Sequence, residues 1–203
     1  MPSRFICVVF DLNGALFDAA DLHFDSLNLA LKEHLKIDIS QTDHDTKFYG
    51  MSTSAKLDLL NIPSALQEEI NRTKRRYMQE LVDSKLRPNH DKIYLLESLR
   101  ERNIYTACIT NSSKDTAVNI LRKLWLTDLL DTVVTSDYLD NLKPDPEGYL
   151  LAMDSLGVEP ANVLAFENDD VGIKAAQAAS VGRTVLIDST CDVTFDFVKK
   201  YLS

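Results

Sequence analysis

The sequence predicts an α/β protein: a Rossmann-like parallel sheet core carrying an inserted helical cap. Three observations lead there. Short apolar runs rich in β-branched residues alternate with stretches whose apolar residues recur at helical spacing; the alternation is broken once by a long interval of helical pattern alone; and polar residues able to do chemistry stand just beyond four of the runs. At 203 residues, the chain can bury a sizeable core as one domain with an insertion.

The first run, FICVVF at Phe5 to Phe10, is apolar on successive residues, as a strand buried on both faces requires. From Asp18 to Pro88 only helical patterns follow. Ala20, Phe24, Leu27, Leu31 and Leu35 mark one helix face, and Leu66, Ile70, Tyr77 and Leu81 another, with Gly50 and Pro63 punctuating the interval. That is too long for a simple crossover, so residues 18–88 are expected to form the cap, and 1–17 with 89–203 the core. The basic cluster RTKRR, Arg72 to Arg76, is expected to be a solvated helix face. Strand runs then recur at IYTACIT (Ile104 to Thr110), TVVTS (Thr132 to Ser136), NVLAF (Asn162 to Phe166) and RTVLI (Arg183 to Ile187). Between them, Val118, Leu121 and Trp125 space one helix. Leu150, Met153 and Leu156 space another, opening at Asp145-Pro146 and stopping at Gly157.

Composition excludes several classes of function. The net charge of -9, from 22 basic and 31 acidic residues, disfavours nucleic acid and anionic membrane as partners. No apolar stretch approaches the roughly 20 residues that span a bilayer, and MPSRF leads into the first strand without a signal-peptide pattern, so the cytoplasm is the expected location. Cys7, Cys108 and Cys191 are far apart and read as reduced core residues rather than a disulfide framework or zinc cluster. A monomer is the default expectation.

In an open α/β sheet, ligands bind beyond the carboxyl ends of the strands. After the first run stand Asp11 and Asn13, beside the turn residue Gly14; after the second, Thr110 and Asn111; beyond the third, Lys143; after the fourth, Glu167, Asn168, Asp169 and Asp170. A carboxylate nucleophile, a hydroxyl, an ammonium and an acidic cluster are what phosphoryl transfer through an aspartyl-phosphate uses. Asp11 would attack phosphorus, Thr110 and Lys143 would bind its oxygens, and the acidic cluster would hold Mg²⁺.

The segments FDLNGALFD, CITNSS, LKPDP and AFENDDVGIKAAQAAS resemble, in order, the four motifs of the haloacid dehalogenase-like (HAD) superfamily. Similarity is greatest to the branch of β-phosphoglucomutase and phosphoglycolate phosphatase-like enzymes, whose helical cap the insertion resembles through DAADLHFDSLNLAL and FYGMSTS. The resemblance implies a phosphatase-type hydrolase of a small phosphorylated metabolite with Asp11 as nucleophile, Thr110 and Lys143 as motif residues, and Asp11, the carbonyl of Asn13, Glu167 and position 168 as Mg²⁺ ligands. Gly14, Asn111 and His23, the last matching a histidine found in the cap hinge of many relatives, are expected to bind the substrate. Two positions depart from the family's pattern. Asn13 stands in place of the acid/base aspartate, and Asn168 in place of a metal-binding aspartate. An amide neither protonates a leaving oxygen nor deprotonates water, which puts hydrolysis at a disadvantage of about 10² to 10⁴ in rate.

Asp169 is open to two readings, a further metal ligand or a helix-terminal carboxylate favoured by the dipole. Where mutase-like caps place a phosphate-gripping arginine, this chain has Thr53. Three functions compete on this fold: a slow Mg²⁺-dependent phosphohydrolase, a binding or regulatory protein that retains the phosphate pocket, and a metal-independent dehalogenase-type hydrolase. Glu167 argues against the third, because a carboxylate there is better explained by a cation.

Overall fold

The computed structural model describes residues 5–48 and 51–202; Gly50 and Tyr49, which the sequence reading used as punctuation and in the cap resemblance, lie outside them. Along the chain run β1 (Cys7–Asp11), α1 (Ala20–Leu35), α2 (Gln41–Asp43), α3 (Thr53–Leu59), α4 (Ser64–Lys85), α5 (His90–Arg100), β2 (Tyr105–Ile109), α6 (Lys114–Lys123), β3 (Thr132–Val134), α7 (Glu147–Leu156), β4 (Val163–Glu167), α8 (Asp170–Ala178), β5 (Arg183–Leu186) and α9 (Phe195–Lys199). They divide into two compact units. One comprises Met1–Asp18 and Arg87–Ser203, the other Ala19–Leu86, against the boundaries 17/18 and 88/89 read from sequence.

The first unit is a parallel sheet in the order β3-β2-β1-β4-β5. β1 is fully buried between two neighbours, and its register aligns Asp11 with Ile109 on one side and Phe10 with Phe166 on the other. Successive connections run β1 to β2 to β3 and then return to β4 across β1, so the topological switch falls at the carboxyl end of β1. Cys7, Val9, Ala107, Ile109, Val163 and Ala165 form one core layer with Tyr149, Ala152 and Met153 of α7 and Ala175 and Ala176 of α8. On the opposite face Phe10 stacks on Phe166 at 5.6 Å between ring centroids.

Several expectations need correction. The edge strands β3 and β5 are only partly covered, because each has a single neighbour. On α6 the buried residues are Ala117, Ile120 and Leu121. Val118 is exposed, and Trp125 lies past the helix end, 65% exposed with φ 62°. The helix stops before the third member of the expected stripe, so its inward face is set by the i, i+3, i+4 positions instead. On α7 the same logic buries Tyr149, Ala152 and Met153 and leaves Leu150 exposed; the helix ends at Gly157 in the left-handed conformation, as expected. Cys191 is exposed, in the turn Thr190–Asp192, whereas Cys7 and Cys108 are buried free thiols.

In the second unit α1 and α4 pack together around Leu27, Leu31, Leu57 and Ile70, with Phe24, Leu35, Leu66 and Tyr77 partly buried against them. Pro63 precedes the first turn of α4. The basic cluster is not wholly solvated. Arg72, Arg75 and Arg76 are exposed, Arg76 pairing with Glu33 at 2.7 Å, but Lys74 turns inward and its Nζ donates to Thr53 Oγ1 at 2.6 Å. Among the described residues no helix is long and apolar enough to cross a membrane.

Candidate active site

Of the residues expected at the strand ends, Asp11, Asn13, Thr110, Asn111, Lys143, Glu167, Asn168 and Asp169 converge on one pocket of about 220 Å³, lined also by Ser112 and Val171, while Gly14 and Asp170 do not line it. Its centre is an ion triad. The buried Lys143 Nζ donates to Asp11 Oδ1 at 2.9 Å, Glu167 Oε1 at 2.7 Å and the Ile109 carbonyl at 2.8 Å. Burial opposes a charge on this lysine, yet Asp11 and then Glu167 outweigh it and raise its pKa above the ordinary range. Burial raises the Glu167 carboxyl to about 7, while Lys143 pulls the other way.

Parallel register explains the convergence. Asp11 ends the central strand; Thr110 and Asn111 follow β2 beside it; Glu167 ends β4 on its other side. Lys143 reaches in from the loop before α7, and Asn111 fixes that loop by accepting from the Lys143 N–H at 3.0 Å and donating to the Lys143 carbonyl at 3.2 Å. Asn111 is therefore engaged as a strut, its side chain spent on backbone. Thr110 is buried and its Oγ1 accepts the Ser112 N–H at 3.1 Å.

Asn13 donates through Nδ2 to Ser112 Oγ at 2.9 Å, leaving its Oδ1 buried without a hydrogen-bond partner. Gly14 adopts φ 135°, and a Cβ there would fall on the side chain of Asn168, so glycine is what allows the first and fourth motif loops to close on each other. The Gly14 N–H donates to the Phe17 carbonyl at 2.7 Å, and its own carbonyl accepts the Thr190 hydroxyl at 2.8 Å. Asp169 caps α8, accepting the Gly172 N–H at 2.8 Å; the capping reading is thereby satisfied, with the second carboxylate oxygen left over. His23 lies in α1 of the helical unit, where burial, with Lys74 and Lys56 adding, lowers its pKa to about 3.

Sequence reasoning missed three residues. Tyr149, fully buried on α7, donates its hydroxyl to Glu167 Oε1 at 2.5 Å; Ser112 holds Asn13; Thr190 holds Gly14. Tyr149 sits on the helix's apolar side, where periodicity marks the ring and says nothing of the hydroxyl. Gly172 is the counterpart on the other oxygen, since a Cβ there would overlap Glu167 Oε2.

Among the described residues no group of three or more His, Cys, Asp or Glu side chains is placed to share a metal ion. Oxygen donors are nonetheless gathered in the pocket: the Asp11 carboxylate, the amide oxygens of Asn13 and Asn168, and the Asp169 carboxylate. The orphaned Asn13 Oδ1 is an acceptor awaiting a partner. Such a set fits a hard divalent cation, which takes oxygen ligands and commonly needs only one or two carboxylates, with less charge than four acids would offer.

The sheet order defines a doubly wound α/β protein, and the pocket with its strand-end carboxylate, hydroxyl and buried lysine lies at the topological switch point. The family model of the haloacid dehalogenase-like hydrolases matches residues 8–186, and the chain belongs to that family. It is similar to the β-phosphoglucomutase of Bacillus subtilis, 31% identical over 218 residues covering 94% of this chain and 92% of that one. With a phosphorylated carbohydrates phosphatase of Thermotoga maritima it shares 28% identity over 179 residues, 87% and 82% of the two chains. Among solved structures, a HAD hydrolase of family IA, variant 3, from Entamoeba histolytica superposes with a TM-score of 0.79 at 20% identity over 97% of this chain and 98% of that chain. A β-phosphoglucomutase from Clostridium difficile gives 0.76 at 22% identity over 98% and 97%. The last two show the fold.

Proposed function

We propose that the chain is a phosphatase-type hydrolase of a small phosphorylated metabolite, acting through an aspartyl-phosphate at Asp11 with Mg²⁺, and slowed by Asn13. What carries this reading is the buried Lys143 bridging Asp11 and Glu167 beside Thr110: a carboxylate held by an ammonium at a pocket floor is poised for nucleophilic attack on an electrophilic phosphorus. The named activities of the relatives, a carbohydrate phosphatase and a phosphoglucomutase, support the substrate class. The helical unit, 18–88 in the sequence reading, would serve as the cap.

In the first step Asp11 forms the new O–P bond and the ester oxygen leaves with the bonding pair. Thr110 and Lys143 bind the phosphoryl oxygens, and Lys143 offsets the charge that accumulates there. Asp11, the carbonyl of Asn13, Glu167 and Asn168, with Asp169 as a further candidate, would hold Mg²⁺, and the bound ion would supply further charge neutralisation. Protons are the weak point. The leaving oxygen must be protonated and, in the second step, a water must be deprotonated as it displaces Asp11 from phosphorus; the Asn13 amide does neither. Both departures from carboxylate, at positions 13 and 168, also suit a second reading, a phosphate-binding protein without turnover.

An activated phosphate needs little acid help to leave, so the first step is expected to outrun the second. Acid-quenched mass spectrometry after mixing the chain with acetyl phosphate and Mg²⁺ should find a phosphate on Asp11, absent in Asp11→Asn. An unmodified Asp11 at every mixing time overturns the hydrolase reading in favour of the binding protein.

A further inference from the structure

The buried residues of α5 are Lys92, Leu95, Leu96, Ser98 and Leu99. Positions 92, 95, 96 and 99 follow the i, i+3, i+4, i+7 spacing of one inward stripe, so a lysine, 3% exposed, stands where the pattern calls for an apolar side chain. Its ammonium has a defined task there. Nζ donates to the Thr190 carbonyl at 2.7 Å and to the Val193 carbonyl at 2.5 Å, bracketing the turn Thr190–Asp192. The Thr190 carbonyl also accepts the Val193 N–H at 3.2 Å, so the lysine closes a turn that its own backbone bond holds only weakly. Burial lowers the Lys92 pKa to about 8, with the charges of Cys191, Asp91 and Asp192 acting the other way, and the group is an ammonium at neutral pH.

The turn that Lys92 clamps is also attached to the strand-end pocket. Thr190 accepts from Lys92 through its carbonyl and donates through its hydroxyl to the Gly14 carbonyl at 2.8 Å. Gly14 is the residue whose close approach to Asn168 joins the first and fourth motif loops, and it follows Asn13, which Ser112 holds. Two hydrogen bonds therefore lead from a buried lysine on α5 to the peptide that borders the pocket.

We propose that Lys92 is a positioning residue for the strand-end pocket: by clamping the turn at 190–193 it fixes the Thr190 hydroxyl, and through it the Gly14 peptide and the pocket side chains that adjoin it, Asn13 and Asn168. Charge-assisted hydrogen bonds are the stronger kind, which suits a clamp that must hold at a distance from the groups it serves. The placement of the loop follows from these contacts alone, whereas its effect on phosphoryl transfer rests on the hydrolase reading. A methionine at position 92 would fill the apolar stripe and remove a buried charge, so the global fold is expected to keep its stability while the turn loses its clamp. That separation tells positioning from plain support.

The test is site-resolved amide hydrogen exchange in the full chain, reading the Gly14 N–H, which Phe17 holds, against Val9 in the middle of β1 as the measure of global opening. Lys92→Met should lower the protection of Gly14 about tenfold or more, as loss of a hydrogen bond from a charged group does, and leave Val9 within about twofold. Thr190→Val removes the hydroxyl and keeps the carbonyl; it should have the same effect, and the double variant should add little to either single change, because the two act in series. Should Lys92→Met fail to fold, Lys92→Gln, which loses the charge and part of the reach, is read against the same criterion. With acetyl phosphate and Mg²⁺, both single variants should phosphorylate Asp11 several-fold more slowly than the native chain. A native chain that forms no adduct overturns the hydrolase reading, and hydrogen exchange then decides the role of Lys92 by itself. Gly14 protection that is unchanged in Lys92→Met, or that falls only in step with Val9, overturns the proposal, and so do additive losses in the double variant.

Discussion

Replacing Asn13 by aspartate exchanges one amide NH₂ for an oxygen and changes nothing in shape. Ser112 Oγ, 2.9 Å from Nδ2, is a hydroxyl and can turn to donate where it now accepts, so the contact that positions residue 13 survives. The orphaned Oδ1 becomes half of a carboxylate at the pocket. General acid–base catalysis contributes about 10² to 10⁴ in rate, or roughly 3 to 5 kcal/mol of barrier at about 1.4 kcal/mol per decade. A third carboxylate would join Asp11 and Glu167 in the lining of one pocket that holds a single lysine, Lys143, and that repulsion takes back part of the gain. The expected increase is therefore about 10², the lower end of the range. Initial rates of phosphate release from p-nitrophenyl phosphate and a panel of sugar phosphates, with Mg²⁺, compare the native chain, Asn13→Asp and the double variant with Asp11→Asn as background. If Asn13→Asp folds, binds Mg²⁺ and hydrolyses no phosphomonoester faster than background, the missing acid/base group is not what limits this protein.

Asn168→Asp should tighten Mg²⁺ about tenfold by calorimetry, since a carboxylate is a better ligand for this cation than an amide, and its effect should be non-additive with Asn13→Asp because both groups surround one pocket; unchanged affinity would remove position 168 from the metal's ligands. Lys143→Met leaves two buried carboxylates without their cation, an imbalance of about 3 to 5 kcal/mol; urea unfolding at neutral pH should show the loss, with partial recovery in acid as Glu167 protonates, and an unshifted midpoint would count against the buried triad. His23 has a folded pKa of about 3 against the ordinary 6.5. Below 6.5 the unfolded chain takes up a proton that the folded chain refuses until about 3, so stability should fall as the pH drops through that window. His23→Gln should flatten that slope, and equal slopes in the two chains would refute the burial assigned to His23.

Strand positions were legible because a buried parallel strand is apolar on successive residues, and Cys7 to Phe10 or Val163 to Phe166 allow no other reading as simple. The strand-end residues followed from that. Helix faces were less legible: on α6 and α7 the apolar residues exceed what the core can cover, and which of Val118 or Ile120, Leu150 or Tyr149 turns inward depends on where the helix begins relative to the sheet, a tertiary fact. The site's supports were hidden for a different reason. Tyr149, Ser112 and Thr190 act through single hydroxyls delivered from distant points in the chain, and a hydroxyl's partner leaves no trace in local pattern. Lys74 was masked by its neighbours, because three exposed arginines around it make the whole run look solvated.

The loop that closes over Asn13 also governs how the protein ages. Spontaneous loss of ammonia at an Asn-Gly step requires the glycine nitrogen to swing onto the side-chain carbonyl carbon and close an imide ring. Here that nitrogen is engaged with the Phe17 carbonyl at 2.7 Å, the amide it would attack is tethered to Ser112, and the peptide beyond is strapped by Thr190. The folded loop thus holds nucleophile and target apart, and the reaction must wait for the loop to open. Aspartate and isoaspartate arising at position 13 in a stored preparation, as water opens the imide at one carbonyl or the other, are accordingly a clock for that opening.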